Sequence, residues 1–494
     1  MEQVATAKSH KALFINTFAF TVCFAAWMLN GVLVTFLSAN GVYDWGPVEI
    51  GWLMGIPVLT GSIFRLPAGM LTDKYGGKPI YAGLLILCAV PMLLLSYANS
   101  FWTFALCSAG FGLSGVSFAI GIAYTSVWYP KSMQGTALGI FGAGNAGAAL
   151  TTLLAPTALN QLTDNGANLE GWRTLPIYYA ALLTLTALLF VIFSDNKKAP
   201  GGAKSMVEML RPLKNIRVWR FGMYYFLVFG CFVAFSQWLV PYFVSVYYLP
   251  LVTAGILASL FSLPSGLIRA FGGWLSDKRG ARRVMYGVLG SSILISAMLV
   301  VPKMELYSPG RGVMARMPGT VTEVSDTVVV VDDQRYPLQA SDESFEGLDD
   351  RLLVLPTKST WQEPAVELGQ VVKKSELLAK GLTRIYFQAN VWIFAALVIL
   401  LGSVWGIGKA AVYKHIPDYF PDEVGVVGGM VGVIGGLGGF FSPIMFGYLL
   451  DGTGLWTSCW MFILVISIVC LTWMHRVIQR TMRTYYPDAT QRIE

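Results

Sequence analysis

Stretches of about twenty apolar residues, the length at which an α-helix crosses the ~30 Å hydrocarbon core of a membrane, recur along nearly the whole 494-residue chain. Hydrophobic residues make up 55% of the sequence, charged residues only 13%, and the mean hydropathy is +0.59. A soluble globular chain carries about 25% charged residues. The sequence therefore predicts an all-α polytopic membrane protein.

Twelve candidate spans fall into two groups of six around a polar, basic segment. This division predicts an N-terminal six-helix bundle over 1–194, a linker over 195–217, and a pseudo-symmetric C-terminal bundle over 218–302 and 384–494. An insertion at 303–383 separates spans nine and ten. The candidate spans are 13–38, 49–72, 79–98, 101–127, 133–162, 173–194, 218–248, 251–276, 283–302, 386–412, 422–450 and 454–476.

Lys and Arg concentrate in loops that follow even-numbered spans, such as "DKYGGKP" at 73–79 and "DKRGARR" at 277–283, and near both termini. Because cytoplasmic loops carry the excess of Lys and Arg, these loops and both termini are predicted to be cytoplasmic. The first apolar run is too long for the apolar part of a cleavable signal. The net charge of +7 is scattered over short loops and termini, a pattern that does not favour nucleic-acid binding.

The insertion at 303–383 holds 9 Lys/Arg and 13 Asp/Glu, and its position after an odd-numbered span predicts that it is external. The β-branched runs "GTVTEV" and "TVVVV" predict a small β-rich unit over 310–375, with one hairpin turning at "DDQ" and another at Gly369-Gln370. No lysine lies between hydrophobic residues at a hairpin tip. The pattern favours a folded spacer over a cofactor carrier.

The six cysteines all fall in apolar runs, and the three histidines lie far apart near helix ends. This distribution predicts neither a disulfide framework nor a metal site, and no cofactor. A membrane enzyme needs His, Cys, Asp or Glu side chains grouped within reach of one another, and the sequence offers no such group. A substrate sensor needs a substantial cytoplasmic output domain, which is also absent from the sequence.

An arginine precedes an aspartate by eight residues at two places that are 204 residues apart: Arg65 with Asp73, and Arg269 with Asp277. Eight helical residues rise about 12 Å, so both arginines are predicted to lie near mid-membrane if the aspartates lie at its surface. A charge at that depth faces a cavity and has a partner. No Asp or Glu lies well inside any span, which predicts an anionic substrate as that partner and argues against free conduction through a channel.

Two glycine-rich stretches occupy equivalent places in the two halves, "GIFGAGNAGAAL" at 139–150 and "GGMVGVIGGLGGFFSP" at 428–443. Glycine lowers helix propensity, so this density requires a reason. One reason is close helix packing. The other is that the backbone and Asn145 approach a small solute, which makes these glycines candidate binding residues: Gly142, Gly144, Gly147, Gly435, Gly436, Gly438 and Gly439.

"GMLTDKYGGK" and "GWLSDKRGARR" resemble the loop signature of the major facilitator superfamily and its second-half copy. The resemblance covers nearly the whole chain except 303–383, and it implies two six-helix bundles around a central path. It also implies a role in conformational gating for the charged residues of the two copies, which are Asp73, Lys74, Asp277, Lys278 and Arg279.

"GAGNAG" and "GVIGGLGGF" resemble the paired signature of the NarK/NasA nitrate and nitrite porters, and Arg65 and Arg269 match that family's anion-binding pair. The resemblance implies nitrate as substrate, a bacterial cytoplasmic membrane, and aromatic walls around the anion. Its motifs assign those walls to Phe118, Tyr225 and Phe229, although ordinary helix packing is the alternative for each ring. Guanidinium is planar and donates paired hydrogen bonds, which suits a planar trigonal anion.

Lys409 in "GIGKAAVYK", near the predicted cytoplasmic end of span ten, is the candidate proton-coupling residue. The alternative is a lysine that reaches the membrane interface. The resemblance favours nitrate/proton symport over nitrate/nitrite exchange, with another small-anion carrier as the remoter alternative. The expected partners are nitrate and possibly nitrite, protons and the lipid bilayer, and the expected state is a monomer.

Overall fold

The computed structural model describes residues 6–198, 210–301, 303–340, 357–388, 390–420 and 424–485. It divides the chain into a helical unit, residues 1–297 and 397–494, and a smaller unit, residues 298–396. The predicted linker at 195–217 lies partly outside the described residues.

The described residues of the first half of the helical unit form ten α-helices. They are α1 (Ala7–Trp27), α2 (Leu29–Ala39), α3 (Pro47–Ile63), α4 (Arg65–Tyr75), α5 (Gly77–Leu95), α6 (Phe101–Gly112), α7 (Ser117–Trp128), α8 (Lys131–Gly142), α9 (Ala146–Leu162) and α10 (Thr174–Phe193).

The described residues of the second half form eight more α-helices, and a π-helical segment, Phe226–Cys231, joins the first of them to the second. They are α11 (Ile216–Tyr225), α12 (Phe232–Tyr247), α13 (Leu251–Leu267), α14 (Arg269–Arg279), α15 (Ala281–Leu299), α16 (Val391–Tyr419), α17 (Val424–Thr453) and α18 (Ser458–Tyr485).

Among the described residues, ten helices are long and apolar enough to cross a membrane, and the pair α13–α14, bent by 42°, makes an eleventh if it counts as one span. The ninth predicted span corresponds to α15, which is outside this set. Arg282 and Arg283 at its start lower its mean hydropathy. The fold is the predicted membrane helical bundle, and the twelfth span stays a prediction.

Several spans are interrupted near their middle rather than running as single helices. The first breaks at Met28, the second at Phe64 and the eighth at Ile268, while the fourth and fifth pass through 3₁₀ segments at Leu113–Val116 and Ala143–Asn145. Pro67 explains the break at Phe64, because its nitrogen has no hydrogen to donate to the preceding turn. Each predicted arginine is therefore the first residue of a new helical segment.

The two halves pack closely on one side of the bundle. A β-carbon at Gly31 would lie 2.7 Å from Gln237 Cα, and one at Gly55 would lie 2.8 Å from the Phe440 carbonyl oxygen. Gly255 is in similarly tight contact with the backbone of Thr152. Small residues thus bring α2 against α12, α3 against α17, and α9 against α13.

The opposite side of the bundle carries the loops 73–78 and 277–283, and we call it the basic side. Here the described residues of α4 make far fewer contacts with α17 than those of α3 do, and α8 and α14 do not pack closely. The two halves are therefore in close contact away from the basic side and separated toward it.

The described residues of the smaller unit form seven strands. Its three-stranded sheet has the order β1-β7-β5, and its four-stranded sheet has the order β4-β3-β2-β6. The strands are β1 (Lys303–Met314), β2 (Gly319–Val324), β3 (Val328–Val331), β4 (Gln334–Pro337), β5 (Thr357–Pro364), β6 (Val371–Val372) and β7 (Leu377–Gln388).

One of the two predicted hairpins in this unit is confirmed and the other is wrong. β3 pairs with β4 across Asp332 and Asp333, as the "DDQ" turn predicted. Gly369 does adopt a positive φ of 84°, but β6 after it pairs with β2, and β7 pairs with β1 and β5. Pairing with distant strands, which local sequence does not encode, replaces the expected local hairpin.

Candidate functional site

Arg65 is buried at the centre of the helical unit, with only 4% of its surface exposed. Its Nε donates to the Gly115 carbonyl oxygen at 3.3 Å and its Nη1 donates to the Gly432 carbonyl oxygen at 2.9 Å. Nη2 is buried and has no hydrogen-bond partner among the described residues. The fixed guanidinium therefore keeps one donor group for another acceptor.

Three aromatic rings surround the Arg65 guanidinium. Its Cζ lies 5.6 Å from the ring centre of Trp27, 5.6 Å from that of Phe118 and 5.5 Å from that of Phe229. These distances suit cation–π contacts. Two of the rings, Phe118 and Phe229, are predicted aromatic residues, and the structure places both against the predicted arginine.

Arg269 approaches the same place from the second half. Its Cζ lies 5.9 Å from the Phe118 ring centre and 5.8 Å from that of Tyr413. The side chain is half-buried. Phe118 thus contacts both arginines, so the structure brings together the two cations that the repeat singled out.

Tyr225, the third predicted aromatic residue, stacks on Phe229 with ring centres 4.9 Å apart and a 7° angle between planes. It also meets Tyr413 edge-on at 5.0 Å. The Tyr225 hydroxyl is buried and lies next to the Tyr413 hydroxyl. Tyr225 therefore lines the same region as the arginines, with a buried polar group.

Sequence reasoning missed Trp27 and Tyr413. Trp27 resembles an ordinary packing residue in the sequence, and its Nε1 indeed donates to the Pro57 carbonyl oxygen at 2.8 Å. Tyr413 follows Lys409 by four residues, which is one helical turn on the same face. That spacing could have indicated that Tyr413 lies on the same side of its helix as Lys409, facing the site.

The predicted glycines divide into two groups. A β-carbon at Gly436 would meet Ser62 Oγ and would lie 3.2 Å from Arg65 Nη1, and one at Gly142 would lie 3.7 Å from Arg269 Nη1. The other five pack against neighbouring helices: Gly144 against Phe20, Gly147 against Thr21, Gly435 against Tyr225, Gly438 against Phe226, and Gly439 against Val58 and Val233. Close helix packing explains these five, and a binding role for Gly142 and Gly436, which lie beside the arginines, stays a prediction.

Asn145 lies at the end of a 3₁₀ segment and is 3% exposed. Its Oδ1 has no hydrogen-bond partner among the described residues, and the same holds for Ser62 Oγ beside Gly436. Buried polar atoms in proteins nearly always have partners. Ser62 is next to Arg65 across Gly436, and Asn145 comes three residues after Gly142, which lies beside Arg269.

Lys409 is 1% exposed, so it does not reach the interface as a snorkelling lysine would. Its Nζ donates to Ser265 Oγ at 3.0 Å and lies 3.1 Å from the Phe232 ring centre. It is also within electrostatic range of Arg269. Among the described residues, no acidic side chain forms an ion pair with Lys409, Arg65 or Arg269.

The predicted gating residues lie at the ends of α4 and α14, on the basic side. Asp277 pairs with Lys414 at 2.6 Å, an exposed contact that joins α14 to α16 within one half. Lys278 lies over the Trp274 ring and Lys74 over the Tyr75 ring. The two remaining predicted residues of this group are Asp73 and Arg279. These contacts are local to each half, and gating stays a prediction.

Comparison with known proteins identifies the family of this chain. The model of the Major Facilitator Superfamily matches residues 16–310. The chain is 36% identical to the "Probable nitrate/nitrite antiporter NarK1" of Thermus thermophilus, over 96% of this chain and 92% of that protein. It is 26% identical to the "Nitrite extrusion protein" of Bacillus subtilis, over 98% of this chain and 99% of that protein.

Solved structures show the same fold at low sequence identity. A bacterial homolog of the human lysosomal transporter Spinster, inward-facing and occupied, has a TM-score of 0.63 at 12% identity, over 96% of this chain and 98% of that chain. A mutant of the nucleoside transporter NupG has a TM-score of 0.61 at 13% identity, over 94% and 98% of the two chains. The chain belongs to the major facilitator superfamily and, within it, to the NarK family of nitrate and nitrite porters.

Proposed function

We propose that this protein carries nitrate across the bacterial cytoplasmic membrane and binds it between Arg65 and Arg269. The observation that carries the proposal is that two arginines from different halves contact one ring, that of Phe118. No carboxylate pairs with either arginine among the described residues. An exogenous anion is the natural counter-charge for cations at this depth.

The donors around the arginines suit a planar anion. Guanidinium groups present coplanar N–H donors, and the unpartnered Arg65 Nη2 is one of them. In this proposal the Asn145 amide supplies N–H donors and the Tyr225 hydroxyl an O–H donor. The aromatic rings next to the arginines exclude water, which strengthens charge-assisted hydrogen bonds.

The arrangement also supports alternating access. Arg65 belongs to the first half and Arg269 to the second, so a bound anion attracts both halves. Without the anion, two desolvated cations repel one another when the halves close. We infer that the halves rock about this site and separate from each other at the basic side. The basic side is the cytoplasmic side in this proposal.

Lys409 supports coupling of nitrate to protons. Uptake of an anion against a negative-inside potential needs at least two protons per nitrate for net entry of positive charge. Nitrate itself is too weak a base to carry a proton. Lys409 is buried, is near Arg269 and, among the described residues, has only a serine as its hydrogen-bond partner. Such a lysine can release and regain a proton during the cycle.

Nitrate/nitrite exchange is the second candidate function. The relative that is 36% identical bears the name of a nitrate/nitrite antiporter, which favours exchange. Exchange also needs no group that gains and loses a proton. Nitrate moves in one direction and nitrite returns in the other, so one anion replaces another and no net charge crosses the membrane. The two modes differ in whether Lys409 takes part.

Transport by purified protein in liposomes tests the proposal. We expect nitrate uptake driven by a pH gradient alone, and we expect Lys409→Ala to lose that uptake while retaining nitrate counterflow. Uptake only in the presence of internal nitrite would establish exchange instead. Failure of both driving forces, with the protein folded, would contradict nitrate transport altogether.

A further inference from the structure

Three serines follow one face of α13 and lead to the arginine that begins α14. Ser259, Ser262 and Ser265 are spaced by three residues, and Arg269 follows after four more. Residues three or four apart are neighbours on one helical face. The three serines are 6%, 1% and 0% exposed, respectively. They form a buried polar stripe in the interior of the second half.

Two hydrogen bonds from this stripe join α13 to other helices. Ser265 Oγ accepts from Lys409 Nζ at 3.0 Å. Ser262 Oγ donates to Ser236 Oγ of α12 at 3.1 Å and also reaches the Ala258 carbonyl oxygen of its own helix at 3.2 Å. Ser236 Oγ in turn donates to the Phe232 carbonyl oxygen at 2.9 Å. Ser259 donates to its own helix, at the Ile256 carbonyl oxygen. We call Ser236, Ser259, Ser262 and Ser265 the serine file.

The serine file extends from Lys409 away from the basic side. The chain runs toward the basic side in α13, so Ser262 lies about one turn farther from that side than Ser265. The chain runs the opposite way in α12, so Ser236 lies one turn farther from it than Phe232, the ring beneath Lys409. Ser262 and Ser236 are therefore both farther from the basic side than Lys409, and they are hydrogen-bonded to each other at that level.

Among the groups around Lys409, hydroxyl groups are the ones through which a proton can reach its amine. The charged or titratable groups near it are Arg269 on α14, Tyr413 on its own helix and, behind Phe229, Tyr225. Phe229 and Phe232 cover it on the side of the π-helical segment and α12. No acidic side chain is hydrogen-bonded to it among the described residues.

We propose that the serine file delivers protons to Lys409 from the side opposite the basic side. This inference rests on the proposed proton coupling. Each hydroxyl oxygen accepts a proton from the group before it and gives its own hydrogen to the next. The Lys409 amine lone pair takes the last proton to form an ammonium group, and it later releases that proton toward the basic side. Side chains three residues apart are about 5–6 Å apart, a gap that one bridging water spans.

The test compares two activities of the full protein in liposomes. The double variant Ser236→Ala with Ser262→Ala removes the central pair of hydroxyls. We expect its pH-driven nitrate uptake to fall at least about tenfold, as on loss of a positioned proton-transfer group. Nitrate counterflow, which needs no net proton movement, should continue at the wild-type rate. Ser262→Thr keeps a hydroxyl and should retain pH-driven uptake.

A matched control removes a buried hydroxyl elsewhere. Thr186 in α10 is 0% exposed and donates to its own helix, so Thr186→Val should change neither activity. Unchanged pH-driven uptake in the double variant would overturn the proposal that the serine file delivers protons to Lys409. So would an equal fall of uptake and counterflow, which would show a structural role. If the wild type has exchange but no pH-driven uptake, the proton coupling fails, and the serine file fails with it.

Discussion

Arg65 Nη1 donates a hydrogen bond to the carbonyl oxygen of Gly432 at 2.9 Å, and this bond joins the first half of the molecule to the second. A bond between the halves cannot persist unchanged if they rock against each other. Because the guanidinium is permanently charged, it needs an acceptor in every state. A bound anion can serve as that acceptor when the helix carbonyl moves away.

Phe118→Leu tests the ring that both arginines share. Leucine keeps apolar volume but removes the cation–π contacts with Arg65 and Arg269. Each such contact contributes about 0.5–2 kcal/mol, so nitrate affinity should fall about tenfold in calorimetric titration. Phe446→Leu, a buried change away from the arginines, is the control. Equal affinities in both variants and the wild type would remove Phe118 from the site.

Gly436→Ala tests the close approach of α17 to Arg65. The added β-carbon would meet Ser62 Oγ and would lie 3.2 Å from Arg65 Nη1. We expect a loss of nitrate binding of at least about tenfold, because the guanidinium must shift. Gly142→Ala should have a much smaller effect, since its β-carbon lies 3.7 Å from Arg269 Nη1, an ordinary contact.

The comparison is made by nitrate titration of detergent-solubilised protein. Gly287→Ala, which adds a β-carbon with no atom within 4 Å, is a control for the general effect of alanine. The interpretation of Gly436 is wrong if all three variants bind nitrate equally well.

The sequence predicted the arginine pair because duplication marks it twice with the same spacing to aspartate. It did not reveal Trp27 or Tyr413, because a single aromatic residue in an apolar helix has no feature that separates packing from binding. It also did not separate the two glycines beside the arginines from the five that pack helices. That difference depends on which helix packs against each glycine. The pairing of β6 with β2 likewise depends on contacts between distant parts of the chain, which the local sequence does not encode.

Gly55→Ala and Gly447→Ala test the close packing of the two halves on the side opposite the basic side. A β-carbon at Gly55 would lie 2.8 Å from the Phe440 carbonyl oxygen, and one at Gly447 would clash with the Pro47 carbonyl oxygen. Both changes should disfavour this conformation and populate one that is open opposite the basic side. Distances between spin labels on α3 and α17 should lengthen. Gly83→Ala, which meets no atom within 4 Å, should leave them unchanged.

The smaller unit has its own hydrophobic core, so its stability should be separable from the anion site. Val329 is 0% exposed in that core, whereas Val371 is 73% exposed. Val329→Ala should lower the free energy of unfolding of this unit by about 2 kcal/mol, measured by hydrogen exchange of the amides in its strands. Val371→Ala should have almost no effect. A change in nitrate affinity in Val329→Ala would contradict the independence of the two regions.

The most direct test of the anion site is calorimetric titration of purified wild-type protein, Arg65→Lys and Arg269→Lys with nitrate. Lysine keeps the positive charge but lacks the planar pair of donors. The wild type should bind nitrate, and both variants, folded as judged by circular dichroism, should lose detectable binding. Wild-type affinity in either variant would contradict the claim that nitrate binds between these two arginines.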